Sequence, residues 1–227
     1  MRIIFVRHGH PDYANDCLTA LGHRHAEAAS LRLLEEGIGE IFSSSCGRAA
    51  ETAAHTADKL GLPVKQFDFI REIYWGARDG EAIAHNGHPW FTAQDEVKDG
   101  HPLMRQDWRE TAPFDRNIAV DSAAAVAAGI DEWLKTLGYT REGDYYRVTG
   151  ENTGRTVAMF SHAGAASAAL SHMFNLPFPY FCCAIEFDYT SITVVRLSDE
   201  AGALTMPAFE LVNDAKHIQK IPNVIGN

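Results

Sequence analysis

Met1-Arg2-Ile3-Ile4-Phe5-Val6-Arg7-His8-Gly9-His10 opens the chain. The run Met1–Val6 is β-branched and aromatic, the composition of a buried strand. It stops at a guanidinium, an imidazole, a glycine and a second imidazole. In open α/β sheets ligands bind at the carboxyl ends of strands. Gly9 removes a Cβ where the chain must turn.

Working outward, three further apolar runs release polar groups in the same way. Glu40–Ser44 reads as a short strand that runs into Ser45-Cys46-Gly47-Arg48. Val64–Phe69 is a third strand, followed by Arg71 and Glu72. Thr156–Phe160 runs straight into Ser161-His162-Ala163-Gly164. Helices fall between them. Ala20–Leu34 has Thr19 as its cap, Leu21, Ala28, Leu31 and Leu34 on one face, and Gly37 and Gly39 as its stop. Ala49–Leu60 ends at Gly61-Leu62-Pro63. Ser122–Leu137, capped by Asp121 or Ser122, carries Val126, Ile130, Trp133 and Leu134 on one face, and Ala165–Phe174 is a further helix. Gly143–Gly154 reads as a polar loop or hairpin. Ala184–Asp188 and Ser191–Val195 read as adjacent strands, with Ala203–Val212 as another.

This alternation predicts one α/β domain over residues 1–227, a three-layer α/β/α sandwich around a mostly parallel sheet. Residues 81–117 break the rhythm with Trp90, Phe91, Trp108, Phe114 and three prolines in no clear period. A stretch of that length fits a lid-like, substrate-covering insertion, or else a helical insertion of weak pattern.

The totals exclude several classes. With 46% hydrophobic and 22% charged residues among 227, the chain has ordinary globular composition and enough length for a sizeable core. It shows neither an apolar run of about eighteen residues nor a signal-peptide layout, so the expectation is a cytoplasmic protein without a membrane partner. A net charge of −10 argues against nucleic acid as a partner, yet a few converging arginines still dominate a cleft. Cys17, Cys46, Cys182 and Cys183 have no metal or redox spacing, and reduced thiols are expected.

Two arginines, two histidines and a carboxylate at one sheet edge suit a phosphate ester. Arginine's planar fork binds phosphate through charge-assisted hydrogen bonds. Phosphoryl transfer chiefly needs positioning and electrostatic stabilisation; a neutral histidine serves as nucleophile and a protonated carboxyl as acid.

The ordered set Arg7-His8-Gly9, Leu18-Thr19-Ala20-Leu21-Gly22, Ser43-Ser44, Arg48–Ala53, Glu72 with Gly76, Asp79 and Gly80, and Ser161-His162-Ala163-Gly164 resembles the histidine phosphatase superfamily, with its phosphoglycerate mutase-like fold. The resemblance implies a phosphoric monoester hydrolase that uses no metal and no cofactor. His8 would be the nucleophile that becomes phosphohistidine. Arg7, Arg48 and His162 would hold the phosphoryl oxygens, with His162 also catalytic, and Glu72 would protonate the leaving oxygen, Glu81 being the second choice. His10 and Asn15 are candidate substrate contacts, and the implied partner is a small phosphorylated metabolite; oligomeric state is open. Ala14 stands where mutase-type members usually have asparagine, His10-Pro11-Asp12 departs from their pattern, and Arg105, Arg109 and Arg116 form no mutase-type arginine pair. These departures favour a phosphatase. A mutase, a metallohydrolase with His8, His10 and His162 as ligands, and a silent phosphate-binding module are the competing readings.

Overall fold

The structure, a computed structural model, describes residues 1–151 and 153–221. Its strands are β1 (Arg2–Arg7), β2 (Pro11–Asp12), β3 (Cys17–Leu18), β4 (Ile38–Ser44), β5 (Val64–Phe67), β6 (Tyr139–Glu142), β7 (Tyr145–Val148), β8 (Thr156–Ser161), β9 (Ile192–Arg196), β10 (Leu204–Thr205) and β11 (Ala208–Asp214). Its helices are α1 (Ala20–Leu33), α2 (Gly47–Leu60), α3 (Pro89–Lys98), α4 (Ala119–Thr136), α5 (Ala163–Met173) and α6 (Phe178–Ala184).

Six strands form the central sheet in the order β11-β9-β1-β8-β4-β5. β1, β8, β4 and β5 are mutually parallel, and β9 runs antiparallel between β1 and β11. Alternate residues of β1 serve opposite faces. Ile3 and Phe5 join a core with Met159, Ile130, Trp133 and Leu170, whereas Ile4 and Val6 join one with Leu33, Ala53, Ala57 and Phe160. Helices α4 and α5 thus cover one face, and α1 and α2 the other. Burial on both faces is why the parallel strands read as continuous apolar runs instead of alternating ones. The register pairs Arg7 with Ser161 and Ser43 with Phe160, which brings the polar exits of β1, β8 and β4 to one edge.

Several expectations need correction. In α1 the buried face is Leu21, Gly22, His25, Ala26, Ala29 and Leu33, and Leu31 and Leu34 are exposed. Burial of small residues, which lets α1 lie close to its neighbours, displaced the leucine stripe. Thr19 does cap α1, its hydroxyl accepting from Gly22 N–H. Helix α4 begins at Ala119, and Ser122 bonds the Tyr74 backbone instead of capping. The hairpin reading of Gly143–Gly154 holds for 143–148, which supply the turn and second strand of the β6–β7 hairpin, extended by β10 to three strands. Ala184–Asp188 is not a strand: Ala184 ends helix α6, which is buried through Phe178, Phe181 and Cys182, and 185–188 are irregular. Segment 81–117 contains α3, started by Pro89 at its first turn, where a missing N–H costs nothing.

The first loop is welded to α1 by two glycines. A Cβ at Gly22 would lie 2.1 Å from the His10 carbonyl oxygen, and one at Gly9 would lie 2.6 Å from Gly22 O. Backbone against backbone leaves neither side room to yield. Gly22→Ala is therefore expected to destabilise the protein by about 1–3 kcal/mol, read as a lower urea midpoint at unchanged slope. An unchanged midpoint would contradict the contact.

Candidate active site

His8 follows β1 directly, its N–H donating to Ser161 O at 2.9 Å. Its Nδ1 lies 2.7 Å from Gly9 O. A carbonyl only accepts, so Nδ1 carries the proton and Nε2 keeps its lone pair. Burial, followed by the charges of Arg7 and Arg48, pushes this imidazole down to about 3 against the opposing Gly9 bond. His8 is a neutral base aimed by its own backbone.

His162 leaves β8 and stands at the N-cap of α5, fully buried, its ring centroid 5.1 Å from that of His8. Burial and the nearby His8, Arg48 and Arg7 hold it well below the ordinary histidine range. Its Nε2 lies 2.9 Å from Ser44 Oγ. That oxygen also accepts from Cys46 N–H at 3.2 Å. Ser44 retains one hydrogen to donate to Nε2, and in that arrangement His162 carries its own proton on Nδ1.

Arg48 sits in the first turn of α2, almost wholly buried, and pairs with Asp16. Asp16 also accepts from Gly47 N–H at 2.8 Å. Arg7 donates to the Phe187 carbonyl and stacks its guanidinium 4.3 Å from the Tyr189 ring centroid. The chain beside it is strained: Thr190, buried and β-branched, has φ +53°. Its N–H donates to His8 O and Arg7 N–H donates to Ser191 O, both at 3.3 Å. Three buried nitrogens of this cluster, Nε of Arg7, Nε of Arg48 and Nδ1 of His162, have no protein partner among the described residues. Unmet buried polar groups are uncommon and cost about 1–3 kcal/mol each. An anion with several acceptor oxygens would satisfy them.

Glu72 lies beside this cluster. Its Oε1 accepts from Ile73 N–H and from Ala165 N–H in the first turn of α5, both at 3.0 Å. Burial nevertheless raises its pKa above the usual carboxyl value, outweighing those bonds and the two arginines. Gly164 makes the approach feasible, because a Cβ there would lie 2.5 Å from Oε1. Glu81 is exposed, with its backbone N–H on Asp79.

The structure thus brings together Arg7, His8, Arg48, Glu72 and His162. His10 stands aside, its Nδ1 3.0 Å from Thr19 Oγ1 and its ring against Tyr189. Asn15, expected as a substrate contact, is exposed and donates its amide to Asp12 Oδ2 at 2.8 Å. Asp12 also accepts the Ala14 and Asn15 N–H groups, an Asx turn that draws Asn15 away. Among the described residues no three His, Cys, Asp or Glu side chains converge as metal ligands. Sequence reasoning passed over Asp16, Tyr13 and Tyr189. Tyr189 precedes the strand antiparallel to β1, so its nearness to Arg7 depends on a sheet order that periodicity does not carry.

A family model described as histidine phosphatase superfamily (branch 1) matches residues 3–208. The chain belongs to the histidine phosphatase superfamily. Among its relatives within the superfamily, a probable phosphoglycerate mutase GpmB of Yersinia enterocolitica is 30% identical over 61% of this chain and 70% of that protein. A glucosyl-3-phosphoglycerate phosphatase of Mycolicibacterium vanbaalenii is 26% identical over 78% and 75%. The solved structure of a mycobacterial glucosyl-3-phosphoglycerate phosphatase with inorganic phosphate shares the fold at TM-score 0.63 and 23% identity, covering 95% of this chain and 98% of that one. A phosphoserine phosphatase mutant from Entamoeba histolytica, with phosphoserine, shares it at TM-score 0.61 and 16% identity, covering 96% and 98%.

Ser44→Ala leaves His162 Nε2 buried without its partner. It is expected to lower kcat/KM for phosphate esters by about tenfold or more, from a loss of about 1–3 kcal/mol. Steady-state kinetics at wild-type values would show that the serine does not orient His162.

Proposed function

We propose that the protein is a phosphatase that hydrolyses a small phosphorylated metabolite in the cytoplasm, in two steps through a phosphohistidine on His8. The observation that carries the reading is a buried, neutral imidazole whose Nδ1–H donates to Gly9 O, leaving Nε2 free within the field of Arg7 and Arg48, which also acts on the buried Glu72 carboxyl.

In the first step His8 Nε2 attacks phosphorus and the bond to the ester oxygen breaks. The electron pair leaves with that oxygen, which takes the proton from Glu72. Arg7, Arg48 and the Nδ1–H of His162 hold the equatorial oxygens as charge redistributes; preorganised donors of this kind contribute about 3–4 kcal/mol each. In the second step the Glu72 carboxylate removes a proton from water, the water oxygen bonds to phosphorus, and the N–P bond breaks. His8 returns neutral, Glu72 protonated and phosphate free. All groups act without a metal or cofactor.

The mutase alternative needs a site that returns the same phosphoryl group to a bound hydroxy acid. Four of the five cations of the 78–117 stretch are ion-paired, Arg78 with Asp121, Lys98 with Asp95, Arg105 with Asp107 and Arg116 with Asp79, and Arg109 lies over Trp108. Nothing there is set to hold the acid's carboxylate, and this favours hydrolysis.

The first step needs His8 neutral and Glu72 protonated. Accordingly kcat/KM should rise as pH passes about 3, where His8 loses its proton, and fall as Glu72 ionises above the usual carboxyl range. In Glu72→Gln the alkaline fall is expected to vanish. Its rate on alkyl phosphates should drop by about 10²–10⁴-fold, and by much less on p-nitrophenyl phosphate, whose leaving group needs no proton. Equal losses on both esters would remove Glu72 from the acid role.

A further inference from the structure

Beyond the phosphate cluster a cavity of about 350 Å³ opens, sharing Arg7 and Glu72 with it. Any alcohol portion of a substrate bound at His8 must occupy this space. Its wall is aromatic. Trp75 and His88 have ring centroids 4.8 Å apart, and His88 and Phe91 4.6 Å apart. Trp90 stands 5.4 Å from His88. Tyr13 closes the near side, its ring 5.4 Å from the Arg48 guanidinium. Burial lowers the pKa of His88, with the charge of His85 acting in the same sense, so its ring joins the wall as a neutral aromatic.

Charge in this cavity is one-sided. Arg7, the only Lys or Arg lining it among the described residues, belongs to the phosphate, while Glu186 and Glu72 are its acidic groups and Gln94 is neutral. The nearby insertion offers no replacement: Lys98 pairs with Asp95, and Arg109 lies over Trp108, in addition to the three paired arginines above. A substrate carboxylate here would lose water, meet Glu186 and find no cation, a combination that strongly disfavours binding. A flat, uncharged group gains from burial against the rings.

We infer that the alcohol portion of the substrate is an uncharged, apolar ring-bearing group stacked on Trp75, His88, Trp90 and Phe91, and that carboxylate-bearing phosphate esters are poor substrates. The inference rests on the phosphatase reading and names the substrate class for that site.

The test uses the purified full chain and four esters of alkyl alcohols, so that leaving-group activation does not decide the outcome: benzyl phosphate, 3-phosphoglycerate and phosphocholine, with ethyl phosphate as the ringless reference. Released inorganic phosphate is measured, with His8→Ala as blank. Benzyl phosphate should have a kcat/KM at least about tenfold above that of 3-phosphoglycerate or phosphocholine. In Phe91→Ala, whose ring is half exposed and outside the core, the preference for benzyl over ethyl phosphate should shrink by about fivefold. Equal or better turnover of 3-phosphoglycerate overturns the inference, as does a preference for phosphocholine, which would make the cavity an ammonium cage. An unchanged benzyl-to-ethyl ratio in Phe91→Ala overturns it too. Hydrolysis of several esters without preference defeats only this inference. If wild type and His8→Ala alike release no phosphate, the phosphatase reading falls with it.

Discussion

Arg48, His8 and His162 are buried and Arg7 half-buried in one cluster, in which Asp16 is the anion paired with Arg48. That concentration of positive potential is the constraint on which the site depends. It is sustainable because both imidazoles are neutral, driven down by burial and by the guanidinium charges. The guanidinium groups are tied to Asp16, the Phe187 carbonyl and the Tyr189 ring. The nitrogens left over are donors without acceptors, and a tetrahedral dianion supplies acceptors. Burial keeps His8 deprotonated, and the charges of Arg7 and Arg48, which suit a phosphate, act in the same sense.

The same field explains the surroundings. Glu72 could not remain protonated near two arginines unless desolvation outweighed them, and Gly164 lets the carboxyl settle against the first turn of α5. The strained backbone at Thr190 is held because its own N–H donates to His8 O and the next carbonyl, that of Ser191, accepts from Arg7 N–H. Substrate recognition is built differently. In the proposed reading it comes from the aromatic faces of the neighbouring cavity, which Arg7, Glu72 and Glu186 also line.

Much of this was legible in the sequence, for a physical reason. Parallel strands buried on both faces appear as apolar runs, and their carboxyl ends converge, so Arg7-His8, Ser44 through Arg48 and Ser161-His162 could be placed together before any coordinates. Glu72 over Glu81 was a matter of burial, which the sequence does not encode locally; the exposed Glu81 lies only nine residues further on. The α1 face was misread in part: Leu21 is buried as expected, but small residues, not Leu31 and Leu34, complete the face that lies against α2 and the first loop. Helix α6 was not read, and the strand expected over Ala184–Asp188 begins at the helix's last residue. Asn15 was lost to an Asx turn three residues back. Tyr13, Asp16 and Tyr189 were invisible because their roles are long-range contacts made by loops.

A covalent intermediate on His8 is the central claim. Rapid quenching of the enzyme during turnover of a radiolabelled phosphate monoester, followed by peptide mapping, tests it most directly. An acid-labile, alkali-stable label on the peptide that carries His8 is the expected result. Label on another residue, or none at any time during active turnover, would contradict it.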